Sequence, residues 1–244
     1  MPIEFTPELM VVLSGAFLSA LVVGAVGFGD ALVAAAIWLH VLTPVETTPL
    51  IVSTGLVIHA VPLYMLRHSV RLQRFLPFLI GGLIGIPLGV LALTQVSAEP
   101  LRMTIGVLLI VYGVYGLFGP SPPHLAWGGR AADGTVGLAG GFLGGLSGLS
   151  GILPTIWSEF RGWTPAERRG VYQTFIFTMH AATLALLWFR GDIGAEIPGL
   201  FLWCLPAIAL GTLAGVALFK RLDAARFRQG VLVLLLVSGA GLLL

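Results

Sequence analysis

Long apolar runs separated by short polar segments extend along almost the whole chain. Six of these runs are close to the roughly 20 residues that an α-helix needs to cross a bilayer. They are 46–66, 75–94, 101–118, 167–189, 197–219 and 227–244. Most of the six tryptophans are expected at the membrane interfaces, where they anchor such helices. The pattern predicts an all-α polytopic membrane protein.

Two further apolar stretches, 9–42 and 135–160, are interrupted by glycines. A single helix over 9–42 would be about 50 Å long at 1.5 Å per residue, which exceeds a hydrocarbon core of about 30 Å. We therefore expect the chain to fold back at 24–29 and, in the second stretch, to break at 144–151. Short halves of this kind suit re-entrant or discontinuous helices, whose loose backbone is shielded by protein.

The second half of the sequence repeats the first. Superposing the two halves aligns His59 with His180, and it aligns a Thr-Pro-x-Glu turn at 43–46 with the same turn at 164–167. Each half then consists of one glycine-broken helical hairpin followed by three transmembrane helices. Carriers built from such repeats bind their substrate near the middle of the membrane.

These boundaries predict a single membrane transporter domain. Repeat 1 covers 8–119, a linker covers 120–134, and repeat 2 covers 135–244.

Basic residues distinguish inverted from parallel repeats. If each broken stretch returns to the side from which it came, each repeat crosses the membrane an odd number of times and the halves are inverted. All of the 13 Lys and Arg residues except Arg102 and Arg190 then share one side, whereas parallel repeats distribute them more evenly. Because Lys and Arg concentrate in cytoplasmic loops, we expect inverted repeats with both termini periplasmic.

The composition excludes several classes of protein. With 57% hydrophobic and 10% charged residues, the chain lacks the polar surface of a soluble domain. A net charge of +2 gives no reason to expect a nucleic-acid partner. The single cysteine, Cys204, lies in an apolar run, so we expect no disulfide and no cysteine-based metal site. We also expect no other metal and no cofactor. Glu4 and Glu8 make the N-terminus unlike a signal peptide, and we expect it to be retained.

The glycine breaks are the first candidate site for a substrate. Glycine lets the backbone turn sharply, and the helix after a break directs unpaired N–H groups and a partial positive charge into the gap. Such helix ends can hold an anion without a lysine. Close helix packing is the alternative, because small residues are common at membrane helix contacts. The residues assigned to substrate binding here are Gly27, Phe28, Gly29, Ser147, Gly148, Ser150 and Gly151.

Two histidines form the second candidate. His59 and His180 lie near the middle of their segments, and an ionisable residue in a bilayer is costly enough to make function the default. A lone buried histidine can also be a hydrogen-bonded core residue. Gln173, on the face of His180, joins the substrate-binding set. So do Thr174 and its first-half match Ser53, although hydroxyl groups can instead bond to their own helix.

Asp30, His59 and His180 are the candidates for proton coupling. An anion enters a low-dielectric cavity only if its charge is offset, and histidine gains and loses a proton near neutral pH. We expect the histidines to carry this proton and Asp30, at the start of a half-helix, to relay it. The alternative is that Asp30 only stabilises its helix start.

Glycine breaks that are followed by a Thr-Pro-x-Glu turn and a long helix resemble the sulfite exporter TauE/SafE family. The resemblance rests on 24–29 with 43–46 and on 144–151 with 164–167, and it extends over nearly the whole chain. It implies a non-enzymatic secondary transporter of a bacterial inner membrane. The implied substrate is a small sulfur-containing anion such as sulfite, sulfoacetate or another organosulfonate, and the implied direction is export. Asp30 and Ser150 interrupt the glycine runs that the family commonly has, which leaves the anion open.

Two other functions remain open. A passive anion channel would use the same glycines and polar groups. A rhomboid-like intramembrane serine protease would use Ser147, in the pattern Gly-x-Ser-Gly that ends at Gly148, with His180 as base. Against the protease, the chain has no asparagine for an oxyanion site, and the rhomboid fold has no inverted halves. Export versus import, the coupling ion, the oligomeric state and the choice between re-entrant and fully spanning glycine-broken segments are also open.

The predicted inversion can be tested with single cysteines in a Cys204→Ser background. Ser69→Cys and Ala166→Cys should both react with an impermeant maleimide from the cytoplasmic side, because arginines surround both positions. Ser97→Cys, near Arg102, should react from the opposite side. Labelling of positions 69 and 166 from opposite sides would contradict the inverted arrangement.

Overall fold

The computed structural model describes residues 6–66, 71–119, 128–219 and 224–244. These ranges contain α-helices and no strand, so the all-α prediction is confirmed for them. Most of the predicted linker, at 120–127, lies outside the described residues, as do Arg67, Lys220 and Arg221 of the charge argument. The helices in the described ranges are α1 (Pro7–Val26), α2 (Asp30–Trp38), α3 (Pro44–Leu66), α4 (Leu72–Gln95), α5 (Ala98–Phe118), α6 (Gly129–Ser147), α7 (Ile152–Phe160), α8 (Pro165–Arg190), α9 (Ile197–Phe219) and α10 (Ala224–Gly241).

Six helices in the described ranges, α1, α3, α4, α5, α8 and α9, are long and apolar enough to cross a membrane. Five of them correspond to predicted spans, and α1 is the sixth. The remaining predicted span, 227–244, corresponds to α10, in which Gln229–Gly241 forms a shorter apolar helix within the described residues. The second half begins earlier than expected, because α6 starts at Gly129, inside the stretch assigned to the linker.

Each glycine cluster has two structural roles, which explains why α1 is longer than expected. Gly24 remains inside α1 because α1 packs closely on α9: a Cβ there would lie 2.9 Å from the carbonyl oxygen of Thr212. The helix ends only at Gly27, whose φ of 95° is left-handed and suits glycine. The expectation of two short halves was therefore wrong for this stretch. With 20 residues, α1 is about 30 Å long.

The chain reverses direction between α1 and α2. Near the turn, the Ser19 hydroxyl donates to the backbone oxygen of Asp30 (3.0 Å). Farther along, the indole N–H of Trp38 donates to the carbonyl oxygen of Val12 (2.9 Å). The short helix thus runs back along the long one. Trp38 is fully buried, so the expectation of an interfacial anchor was wrong for this tryptophan.

The chain also reverses between α6 and α7. Gly148 ends α6 in the left-handed region at φ 74°. Ser150 then lies against Gly144, and the indole N–H of Trp157 donates to Asp133 (2.7 Å), near the start of α6. The short helix α7 therefore runs back along α6.

The described chain forms two compact units, and each contains helices from both halves of the sequence. Unit 1 comprises Met1–Thr54, Val96–Gly119 and Ile193–Leu244. In it α1 packs on α9, α5 packs on α10, and α2 contacts α1 and α10.

Unit 2 comprises Gly55–Gln95 and Pro120–Asp192. Its main contact joins α4 and α6, and α8 packs on α4, α6 and α7. The helices α4 and α6 run parallel, because successive glycines of α4 meet successive turns of α6: Gly81 with Gly134, Gly85 with Leu138 and Gly89 with Phe142.

Charged side chains gather at one end of unit 2, where α4, α6 and α8 begin and α7 ends; we call it the arginine end. Glu167 pairs with Arg71 (2.9 Å) and with Arg74 (2.8 Å). Arg161 pairs with Asp133 (3.3 Å). The starts of α4 and α8 therefore lie at the same end of this unit.

The α4–α6 contact predicts the cost of adding one methyl group. A Cβ at Gly85 would lie 2.1 Å from the carbonyl oxygen of Leu138, so Gly85→Ala should force the helices apart and cost about 1–3 kcal/mol. Gly230→Ala is the matched control, because among the described residues no atom beyond its chain neighbours and its own helix backbone lies within 4 Å of its Cβ position in α10. It should be neutral or slightly stabilising. Thermal unfolding of the purified proteins in detergent measures both, and equal melting temperatures would contradict the close contact.

Candidate functional site

Four residues of unit 2 form the candidate site: His59 on α3, Gln173 and His180 on α8, and Gly148 at the end of α6. We call them the histidine cluster. The side chains of His59, Gln173 and His180 are buried, with at most 1% of their surface exposed. Because buried polar groups are stable only with hydrogen-bond partners, the contacts of this cluster indicate its chemistry.

His59 is held by Gln173. The side-chain amide nitrogen of Gln173 lies within hydrogen-bond distance of Nδ1 of His59. If the amide donates, the neutral imidazole keeps its proton on Nε2. The two residues are far apart in sequence, and Gln173 was selected only because it shares a helical face with His180.

His180 is held by a backbone group of the α6–α7 break. Its Nε2–H donates to the carbonyl oxygen of Gly148 (3.1 Å). Its ring lies edge-on to that of His59, with 5.9 Å between the ring centroids. The two histidines that the repeat makes equivalent are thus neighbours in one unit.

The α6–α7 break lies against the same stretch of α8. Gly151 packs on Ile176, and the Cβ position of Gly144 lies close to both Ser150 and Met179. Gly151 caps α7 without a side-chain hydrogen bond, so the first backbone N–H groups of α7 have no cap from that residue. The break, the imidazole of His180 and the start of α7 therefore converge on one side of α8.

Several of the predicted hydroxyl ligands are used by their own helices. The hydroxyl of Ser53 donates to Pro49 O (2.7 Å), that of Ser147 to Leu143 O (3.1 Å), and that of Thr174 to Gly170 O (2.7 Å). For these residues the structure shows the backbone-bonding alternative. Ser147, the serine of the protease alternative, thus directs its hydroxyl to its own helix.

The first glycine break belongs to unit 1. Phe28 and Gly29 line an apolar cavity of about 20 Å³ beside α5 and α10, which is the size of a single water rather than of a sulfonate. Asp30 is the first residue of α2, with 4% of its surface exposed. Asp30 and Ser53 lie in unit 1, whereas both histidines lie in unit 2.

A larger groove, of about 660 Å³, runs between α4 and α6 in unit 2. None of the histidine cluster lines it. Its walls include Leu76, Ile80, Ile84 and Leu138, all at least 39% exposed. On a membrane protein, such an apolar face suits lipid rather than an anion, which needs hydrogen-bond donors.

Sequence reasoning missed Asp133, which it assigned to the linker. Its side chain is buried on α6, accepts the indole N–H of Trp157 and pairs with Arg161. The guanidinium of Arg161 also lies over the ring of Trp163 (5.6 Å). The signal in the sequence that could have identified Asp133 was a single acidic residue near the start of a glycine-rich helix. Within the described residues, no three His, Cys, Asp or Glu side chains come close enough together to hold a metal ion.

The buried ion pair predicts non-additive mutations. Asp133→Asn or Arg161→Gln alone should destabilise the fold by about 2–3 kcal/mol, because each leaves the other charge poorly compensated. The double variant should lose less than the sum of the two. Asp192→Asn is the control, since its pair with Arg190 (2.6 Å) is more exposed and should contribute under about 1 kcal/mol. Thermal unfolding measures all four, and equal losses for the two Asp variants would contradict a special role for Asp133.

Comparison with known proteins yields one family. The model of the family described as "Sulfite exporter TauE/SafE" matches residues 12–242. Comparisons with curated proteins and with solved structures give no significant match. The matched range includes both glycine breaks and the histidine cluster, and the helices long enough to cross a membrane agree with a multi-pass membrane protein. The chain belongs to the sulfite exporter TauE/SafE family of membrane transporters.

Proposed function

We propose that the protein is a secondary transporter that exports a small sulfur oxyanion, such as sulfite or an organosulfonate, across a bacterial inner membrane together with a proton. The anion binds in unit 2, at the α6–α7 break beside the histidine cluster. The observation that carries the proposal is the buried pair His59 and His180, held by Gln173 and by the carbonyl of Gly148. Packing alone gives no reason to bury two imidazoles in a membrane bundle.

The donors around the break suit an oxyanion. The start of α7 contributes backbone N–H groups and a partial positive charge. Gln173 contributes an amide, and His180 an imidazole that becomes a full cation when protonated. Sulfur oxyanions are tetrahedral or pyramidal and accept several hydrogen bonds at once, and bonds between charged partners are the stronger ones.

The spacing of the rings supports the transfer of one proton. With centroids 5.9 Å apart, two imidazolium ions would repel each other by about 3 kcal/mol at an effective dielectric constant of 20. We therefore propose that the pair carries one proton with each anion. One positive charge offsets the charge of a singly charged anion in a buried site. Asp30 of unit 1 is the proposed relay, on the evidence of its buried place at the start of α2.

The burial of the cluster implies alternating access, because the anion reaches these side chains only when the surrounding helices move. We propose that 8–119 and 135–244 are the inverted repeats of one transporter domain, each beginning with a re-entrant or discontinuous helical hairpin, α1–α2 or α6–α7. The directions of α3 and α8 support inversion: α3 ends shortly before Arg71, whereas α8 starts with Glu167, which pairs with Arg71. This pairing supports the proposal that the equivalent helices α3 and α8 run in opposite directions. The arginine end is then cytoplasmic and both termini are periplasmic.

Transport by proteoliposomes tests the function. Wild-type protein should take up labelled sulfite or sulfoacetate with saturable kinetics, and a pH-sensitive dye should report proton movement that depends on the anion. Sulfate, thiosulfate and taurine complete the panel of substrates. Flux that does not saturate and moves no protons would favour the passive channel. Absence of uptake of every sulfur oxyanion would contradict the proposed substrate class.

The histidines should be required for coupling. His59→Gln and His180→Gln should each lower uptake driven by a pH gradient by about tenfold or more, because a lost hydrogen bond to a charged group is worth about 1.5–3 kcal/mol. His40→Gln is the control, since His40 is exposed and belongs to unit 1. If both cluster variants keep the wild-type pH profile while folding normally, the histidines do not carry the proton.

A further inference from the structure

Three threonine hydroxyls on α8 have different surroundings. Thr174 donates to Gly170 O and Thr178 donates to Thr174 O, each at 2.7 Å and each one turn back along the helix. Thr183 is fully buried, yet in the part of the chain that the structure describes its hydroxyl has no hydrogen-bond partner. The same helix therefore bonds two of these hydroxyls to its own backbone and leaves the third for another partner.

The orientation of Thr183 has an energetic cost. A buried hydroxyl without a partner is unfavourable, and a threonine in a helix can remove that cost by bonding to the carbonyl four residues earlier, as Thr178 does. Buried polar groups that stay unsatisfied in a native protein call for a specific explanation, such as a ligand. Thr183 therefore differs from Thr174 and Thr178, because its buried hydroxyl has no hydrogen-bond partner among the described residues.

The position of Thr183 places its hydroxyl near His180 and the α6–α7 break. It lies one turn beyond His180, so both side chains project from the same side of α8. The α6–α7 break packs against this side, where the Cβ position of Gly144 is 3.0 Å from the Cβ of Ser150 and 3.8 Å from that of Met179. Ser150 is itself fully buried, and its hydroxyl likewise has no partner among the described residues. Two unsatisfied hydroxyls thus occur on the side of α8 that faces the break and carries His180.

We infer that Thr183, together with Ser150, binds the SO3 group of the transported anion and sets the preference for sulfur oxyanions over carboxylates. The inference rests on the proposed function. An SO3 group presents three oxygens in a pyramid, and Ser150, Thr183 and protonated His180 provide one donor for each. A carboxylate presents two oxygens in a plane, so one of these donors stays unsatisfied when it binds. A site that leaves a buried polar group unpaired discriminates strongly against that ligand.

The test compares two ligands that differ only in this group: sulfoacetate, and malonate, in which a carboxylate replaces the SO3 group. Binding to the purified wild-type protein in detergent should favour sulfoacetate. Thr183→Val, which removes the hydroxyl and keeps the shape, should weaken sulfoacetate binding about tenfold or more and change malonate binding little. Ser150→Ala should act in the same direction.

Two variants serve as matched controls. Thr178→Val removes a hydroxyl from the same helix, but one already bonded to Thr174 O, and should leave both affinities unchanged. Thr183→Ser keeps the hydroxyl and should stay within about threefold of wild type. Thermal unfolding without ligand should show no loss of stability for Thr183→Val, because the hydroxyl has no partner among the described residues to lose.

The outcomes separate the two proposals. If the wild-type protein binds sulfoacetate and sulfite but Thr183→Val and Ser150→Ala bind them equally well, this inference is overturned and the proposed function stands. If both variants weaken sulfoacetate and malonate by the same factor, the hydroxyls do not set the preference, and the inference is again overturned. If the wild-type protein binds no sulfur oxyanion, the inference and the proposed function fail together.

Discussion

Backbone groups that leave a helix inside an apolar bundle need partners from the protein, because the bilayer core offers no water. The α6–α7 break depends on this constraint. The carbonyl of Gly148 accepts hydrogen bonds from Nε2–H of His180 and from the backbone N–H of Ser150 (2.9 Å). The ring that is proposed to carry a proton is therefore also one of the groups that hold the break in place. Any reorientation of His180 changes the partners of this backbone, which couples the chemistry of the site to its conformation.

The glycines serve this arrangement in two ways. Those inside α4 and α6 allow the two helices to approach until backbone meets backbone, as at Gly85 and Leu138. Gly148 instead ends α6 with a left-handed φ of 74°, which costs glycine little and most other residues more. Close packing and helix breaking are therefore not alternatives for the cluster as a whole, because neighbouring glycines along one segment perform different tasks.

Within unit 2, the permanently charged side chains lie at the arginine end and not in the histidine cluster. The histidine cluster is buried against α8, while the arginine end gathers the permanent charges of Arg71, Arg74, Asp133, Arg161 and Glu167. There the guanidinium groups of Arg74 (5.1 Å) and Arg161 (5.6 Å) both lie over the ring of Trp163, and each of these contacts is worth about 0.5–2 kcal/mol. These contacts join the starts of α4 and α8 to the end of α7. In the proposed cycle, movement that opens the site from this end has to break or carry along these contacts.

The sequence alone determined the features that depend on local composition. Apolar runs of fixed length gave the helices, glycine clusters gave the places where the chain turns back, and rare ionisable residues in apolar segments gave His59 and His180. The capping boxes that start α3 and α8 follow from Thr43 and Glu46 and from Thr164 and Glu167, because the partners are three residues apart.

Tertiary structure decided which partners meet. Gln173 bonds to His59 across 114 positions of sequence, and Asp133 is buried by Trp157 and Arg161, which no local pattern specifies. The residue type of Thr174 and Thr183 is the same, yet one hydroxyl bonds to its own helix and the other has no partner in the described part of the chain. The hydrogen-bond partner of each hydroxyl depends on which neighbouring helix packs against that side chain. Hydrophobic periodicity predicts which face of a helix is buried, but it does not predict which atoms of the neighbouring helix that face contacts.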